Sequence, residues 1–258
     1  MKIRFITFFL FLSLVMFSQG VKNLVVEYSM VQDENGANDS FNEFLISSDN
    51  ENLYFNYGKS NAVLSIDQVF ANFDLQKLNY VIKRENSGDI IESGWRVLPK
   101  VEFIKDEQTV INWKLLVDAK KILNYNCNKA QCIFRGRTYT VWYTMEIPSK
   151  IGPWKLSGLP GLILEAIDSK NLYNYYARKV MQNYTLKTPD KFNEFTKKME
   201  KNPIPLKSYI KIQNDFLKDL NRRNLANMPA GSIMAPNQNL REALKEITFE
   251  WEIFPEKL

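Results

Sequence analysis

Glu165 and Asp168 are the acids nearest to the most conspicuous turn in the chain, SGLPGLILEA at residues 157–166. Two carboxylates that share a site can divide the work of proton donor and base. If residues 162–168 form a strand, however, positions 165 and 168 fall on opposite faces and the two acids do not converge. Glu165 then reads as an ion-pair partner, with Arg135 and Arg137 available to it. Histidine is absent from the chain, which removes the Ser-His-Asp and Cys-His nucleophile arrangements in their usual forms. It also leaves no ordinary zinc ligand set beyond two thiols. No catalytic residue, metal or cofactor is assigned.

The glycines of the turn raise the question of a phosphate cradle. No Lys-Ser/Thr pair follows Gly161, no helix start follows, and Pro160 lacks the backbone donor a cradle needs. Pro160-Gly161 instead suits a type II turn over residues 159–162, with a fixed φ followed by a residue that tolerates positive φ. Gly158 shapes the loop before it. The candidate ligand surface is aromatic: Trp142, Tyr143 and Trp154, with Arg135, Arg137 and Glu165 beside them. A core rim capped by the loop accounts for the same residues.

These side chains need a frame, and the sequence supplies a β-rich one. Apolar residues make up 45% of the chain, enough for a packed core. Residues 21–31, 41–46, 53–57 and 62–66 read as short strands separated by Asn, Asp, Gly and Ser clusters, as in an antiparallel meander. NSGD at 86–89 fits a hairpin between 78–84 and 90–92, and 97–106 and 111–116 continue the pattern. RTYTVWYTMEI at 137–147 alternates most strictly: Tyr139, Val141, Tyr143, Met145 and Ile147 share the expected core face. A strand over 172–181 follows. Thr188-Pro189 then looks like a helix cap and first turn, with Phe192, Phe195 and Met199 on one stripe. A second helix fits 206–222, with Phe216 on its apolar face. Residues 227–239 read as a loop, and ITFEWEIF near the end reads as a last strand. The expected fold is mainly β (α+β): a curved antiparallel sheet, with one or two helices of the C-terminal third packed against it over about 188–223.

Residues 1–19 have the form of a signal peptide: Lys2 and Arg4, then an apolar run, then small and polar residues. The rest, 20–258, reads as one domain without a membrane span, exported to the periplasm, the outer membrane or the extracellular space. Without Lys2 and Arg4 the balance is 32 basic against 29 acidic side chains, and ten of the basic ones lie in residues 187–223. That is a local patch and not the footprint of a nucleic-acid binder. Cys127 and Cys132, in an exported chain, are expected to form a local disulfide.

Residues 127–168 read CNKAQCIFRGRTYTVWYTMEIPSKIGPWKLSGLPGLILEAID. With its KA, FRGR, W-Y-T, IP and GP elements and the hexapeptide at 158–163, this block resembles the GLPGLI family of exported bacterial proteins. The resemblance implies export and a β-rich fold and carries no assigned activity. The sequence therefore leads to a non-enzymatic envelope protein that binds a lipid, a peptide or an outer-membrane partner in a concavity between sheet and helix. The alternatives are a carboxylate-dependent hydrolase of glycans or peptides, and a structural subunit of an envelope complex.

Overall fold

A computed structural model describes residues 22–34, 37–49, 51–59, 62–84, 88–93, 103–107, 110–227 and 241–253. The leader-like segment and all but the first residue of the loop expected over 227–239 lie outside the described residues. A first meander comprises β1 (Lys22–Glu34), β2 (Ala37–Ser47), β3 (Asn52–Lys59), β4 (Leu78–Arg84), β5 (Ile90–Ser93) and β6 (Phe103–Asp106). A second comprises β7 (Lys114–Ile122), β8 (Tyr125–Phe134), β9 (Arg137–Thr144), β10 (Leu162–Asp168) and β11 (Asn174–Thr185). The meanders join where β11 pairs with β1, and the two-residue β12 (Ile204–Pro205) adds to β6, giving one sheet of 12 strands. Every pairing is antiparallel except β12 with β6.

A twisted sheet this wide curls instead of lying flat. Arg135, in the β8–β9 turn, bonds Asp106 at the end of β6, so strands from opposite ends of the order face each other through side chains. The inner face holds the largest core, where Val26, Tyr28, Leu45 and Tyr54 of the first meander meet Tyr139, Val141, Leu162 and Leu164 of the second. Tyr28 donates from its hydroxyl to Ile163 O at 2.6 Å.

The outer face of the first meander has its own core of Phe44, Phe55 and Val81 under two short helices. One is α1 (Ile66–Ala71), which begins where the sequence suggested a strand over 62–66. The reason is a capping box: the Ser65 hydroxyl accepts from Gln68 N at 3.3 Å, and Gln68 Oε1 accepts from Ser65 N at 2.9 Å. The other is α2 (Asp190–Lys198), whose Phe192 packs 5.1 Å from Phe55 and 5.2 Å from Phe70. Its N-cap is Pro189, with no side-chain cap hydrogen bond, so Thr188 does not cap it.

The long α3 (Leu206–Ala226) buries Leu206, Tyr209 and Ile210 against Ile104 and Phe249, with Phe216 beside them. The expected last strand is instead a loop running into α4 (Glu250–Ile253). There Phe249 N donates to Glu252 Oε2 at 2.9 Å, a local capping bond that an extended chain does not make. Among the described residues no helix is long and apolar enough to cross a membrane.

Cys127 and Cys132 are buried and free. Both belong to β8, five residues apart along one extended strand. That is about 16 Å at the rise of a β-strand, far beyond the reach of a disulfide.

Candidate functional site

The loop from β9 to β10 folds back over the inner face, burying Ile147, Ile151, Trp154, Leu156 and Leu159. Gly158 N donates to Lys150 O at 2.8 Å, and Leu162 N and Ile163 N donate to Ile147 O and Ile151 O, both at 3.1 Å. The type II turn expected over 159–162 does not form in that sense, because Gly161 has no positive φ; the positive φ, +99°, belongs to Gly158. Gly161 is required for space: a Cβ there would lie 2.1 Å from Thr144 O. Trp154 has φ +53°, a backbone region that costs an L-residue free energy. This strained residue and the next one, Lys155, are what the loop delivers to the interior.

Lys155 Nζ is fully buried. It donates to Asp106 Oδ2 at 2.9 Å, Glu92 Oε1 at 3.1 Å and both Glu246 oxygens at 3.1 Å. Arg135 grips Asp106 through two bonds of 2.7 and 2.8 Å and also reaches Glu246 and Glu250. Burial penalises the charge on Lys155, but the three carboxylates outweigh it and hold the ammonium protonated well above its ordinary range. Burial alone would raise Asp106; the Lys155 charge and the Arg135 bonds reverse that and lower it to about 2. Glu92 goes the other way. Burial pushes it up to about 7, against the pull of Lys155 and with the help of the Glu246 and Asp106 charges.

Glu92 and Glu246 line a cavity of about 500 Å³, together with Tyr80, Trp154, Tyr173 and Lys245. Glu43 lies behind it, wholly buried, accepting from Tyr80 Oη and Asn56 Nδ2, both at 2.6 Å, and from Tyr54. The segment that carries Lys245 and Glu246 is fastened from outside. Arg137 donates to Leu244 O at 2.9 Å and Glu242 O at 2.7 Å while pairing with Asp168 at 2.9 Å. Tyr173 donates to Ala243 O, and Ile247 N to Arg135 O. A carboxyl that titrates near 7, a second acid across a shared ammonium and a wall of aromatic faces can bind a sugar and exchange a proton with it.

The candidate residues thus separate. Trp154, Arg135 and Arg137 come together around the cavity, one lining it and two fixing its walls. Tyr143 is a core residue. Trp142 is half-buried on the opposite face of β9, with Lys120 and Lys129 Nζ 4.5 and 5.5 Å from its ring centroid. Glu165 joins that second cluster through Lys120 at 2.6 Å, so its partner is neither arginine. Sequence reasoning missed Glu92, Asp106, Lys155, Lys245 and Glu246. Only Lys155 carried a local signal, as the residue after Trp154 in the loop.

The family model for the N-glycanase peptide, N-terminal domain, matches residues 38–203. Two solved structures of PNGF-II, in space groups C2 and P21, share the fold with TM-scores of 0.51 and 0.50 at 20% and 18% identity. Each comparison covers 74% of this chain and 32% or 33% of the other, so the chain spans about a third of their length. No curated protein matches. These findings overturn the assignment to the GLPGLI family: the model that matches, over residues 38–203, is that of an N-glycanase N-terminal domain, and the two structures agree with it in fold. The reading as a non-enzymatic envelope binder falls with it, and the carboxylate-hydrolase alternative is the closer one.

Proposed function

We propose that this chain, which belongs to the family of N-glycanase peptide N-terminal domains, acts in the hydrolysis of N-linked glycans, with the glycan seated in the aromatic-walled cavity. The observation that carries this reading is the pair Glu92 and Glu246, held across one buried ammonium at the cavity wall. Hydrolysis of the bond from glycan to asparagine adds water to an amide carbonyl and expels the amide nitrogen with a proton. Glu92, poised near 7, can take the proton from water and return it to the leaving nitrogen. Glu246 is bonded to both Lys155 and Arg135 and orients the pair. The leader-like residues 1–19 support an exported setting, where glycoproteins would be met.

Release of glycan from an N-glycopeptide, followed by mass spectrometry in heavy-oxygen water, tests this. The wild type should convert asparagine to labelled aspartate, and Glu92→Gln should lose about a hundredfold or more in rate while still unfolding in one cooperative step. Equal rates would remove Glu92 from the chemistry. A second reading is favoured by the one fact that the chain spans a third of the solved structures: the cavity holds the glycan for a catalytic domain elsewhere. An inert wild type that nevertheless binds the glycopeptide would select it.

A further inference from the structure

Lys245 is placed unlike the other cations at the cavity. Lys155 and Arg135 spend their donors on carboxylates. Lys245 Nζ makes one hydrogen bond, to the Tyr80 hydroxyl at 2.8 Å, and stands 3.9 Å from Glu43, beyond hydrogen-bond distance. Glu43 does not depend on it, since Tyr54, Asn56 and Tyr80 already fill its oxygens. Aromatic faces hold the ammonium instead: its nitrogen lies 4.6 Å from the ring centroid of Tyr80, 5.3 Å from Tyr175, 5.5 Å from Tyr173 and 5.8 Å from Trp154. Rings attract a cation but accept few hydrogen bonds. An ammonium has three N–H groups, so two remain without an acceptor among the described residues, on a side chain that lines the cavity.

We propose that Lys245 is the carbonyl-recognising donor of this cavity, binding the acetamido oxygen of an N-acetylglucosamine unit while Trp154 and Tyr173 take the sugar's apolar face. The assignment rests on the glycan reading above, and it adds the group that is recognised and the residue that recognises it. An acetamido carbonyl is a strong neutral acceptor, and its methyl suits an aromatic wall. A de-N-acetylated sugar would bring an ammonium to an ammonium and be repelled. Burial lowers the pKa of Lys245 despite the nearby Glu43, Glu92 and Glu246 charges. The donor strength of the site therefore fades at alkaline pH sooner than for an ordinary lysine.

The test is a titration of the full chain with di-N-acetylchitobiose and with its de-N-acetylated form, followed by tryptophan fluorescence. Saturable binding of the acetylated sugar alone, weakened roughly tenfold or more in Lys245→Met as befits a lost charged hydrogen bond, is the expected result. Binding within twofold of wild type in Lys245→Met overturns the role of Lys245 and leaves the glycan reading standing. Absence of binding to the wild type overturns both. Acylation of Lys245 by a small amine reagent, mapped by peptide mass in the wild type, needs no variant to fold. The acetylated sugar should slow it severalfold, and an unchanged rate counts against the proposal.

Discussion

Trp154 with Lys155, inside the curl, and Trp142 with Lys120, on the other face of β9, are assembled from the same three residue types: an indole, a lysine and a glutamate. The inner lysine is wholly buried and meets three carboxylates at 2.9–3.1 Å. The outer one keeps 37% of its side chain exposed and meets one carboxylate, Glu165, at 2.6 Å. Removing charges from water costs several kcal/mol per ion unless partners replace the lost solvent. The inner cluster therefore has to be complete. The outer one can lose a member to water. Completeness also links titration to position inside: with one buried ammonium shared among three acids, Asp106 takes the strongest stabilisation and Glu92 is left near neutrality.

The sharpest way to break this contrast is to take away the shared ammonium. Lys155→Met keeps most of the side chain's volume but leaves Asp106, Glu92 and Glu246 facing one another, with Arg135 the remaining cation bonded to them among the described residues. Destabilisation of about 3–5 kcal/mol is expected, read from urea unfolding with an unchanged slope. A loss under about 1 kcal/mol would mean that water reaches the inner cluster and that the two clusters are equivalent.

A second prediction separates them by pH. Glu92 rises from an ordinary 4.5 to about 7 in the fold, so the folded protein holds this proton more tightly than the unfolded chain. Its contribution to stability is full below pH 4.5 and is lost as pH rises toward 7, by roughly 3 kcal/mol at 1.36 kcal/mol per unit. Asp106 has the opposite sign. Lowered from 3.8 to about 2, it adds stability above pH 3.8 that is lost as pH falls through 2. Glu92→Gln should flatten the decline between pH 4.5 and 7 in denaturant titrations while the acid limb remains. An unaltered decline would place its origin elsewhere.

Much of the frame could be read from local pattern because local pattern made it. The alternation of Tyr139, Val141 and Tyr143 places all three in the core, and it stops at Met145, 58% exposed, only because β9 ends at Thr144. Phe192 and Phe195 lie against the sheet as their stripe required. Where the reading failed, a side chain overrode the pattern: the Ser65 cap turned an expected strand into α1, and Glu252 did the same at the chain's end. The site was harder. Glu92, Asp106 and Glu246 come from three separate segments, and each looks like a solvated acid in its own neighbourhood. Only the curl of the sheet and the folded-back loop bring them to Lys155. Arg135 and Arg137, read as partners for Glu165, instead turn toward Asp106 and Asp168, since the tight β8–β9 turn points them inward.

The smallest effect belongs to the outer cluster. A double-mutant cycle with Lys120→Met and Glu165→Gln should return a coupling of about 0.2–1 kcal/mol, as for other partly exposed pairs. It should shrink further at 1 M salt, where screening acts within about 3 Å. Loss of Lys120 also uncovers the Trp142 ring, so acrylamide should quench fluorescence more strongly in Lys120→Met than in the wild type. The interior pair offers the control: Lys155→Met with Glu246→Gln should couple by more than 1 kcal/mol and barely respond to salt, because no counter-ion reaches a wholly buried nitrogen. If the two cycles gave equal couplings with equal salt dependence, burial would not be what distinguishes the clusters. The neutral-range titration of Glu92 would then need a cause other than its removal from water.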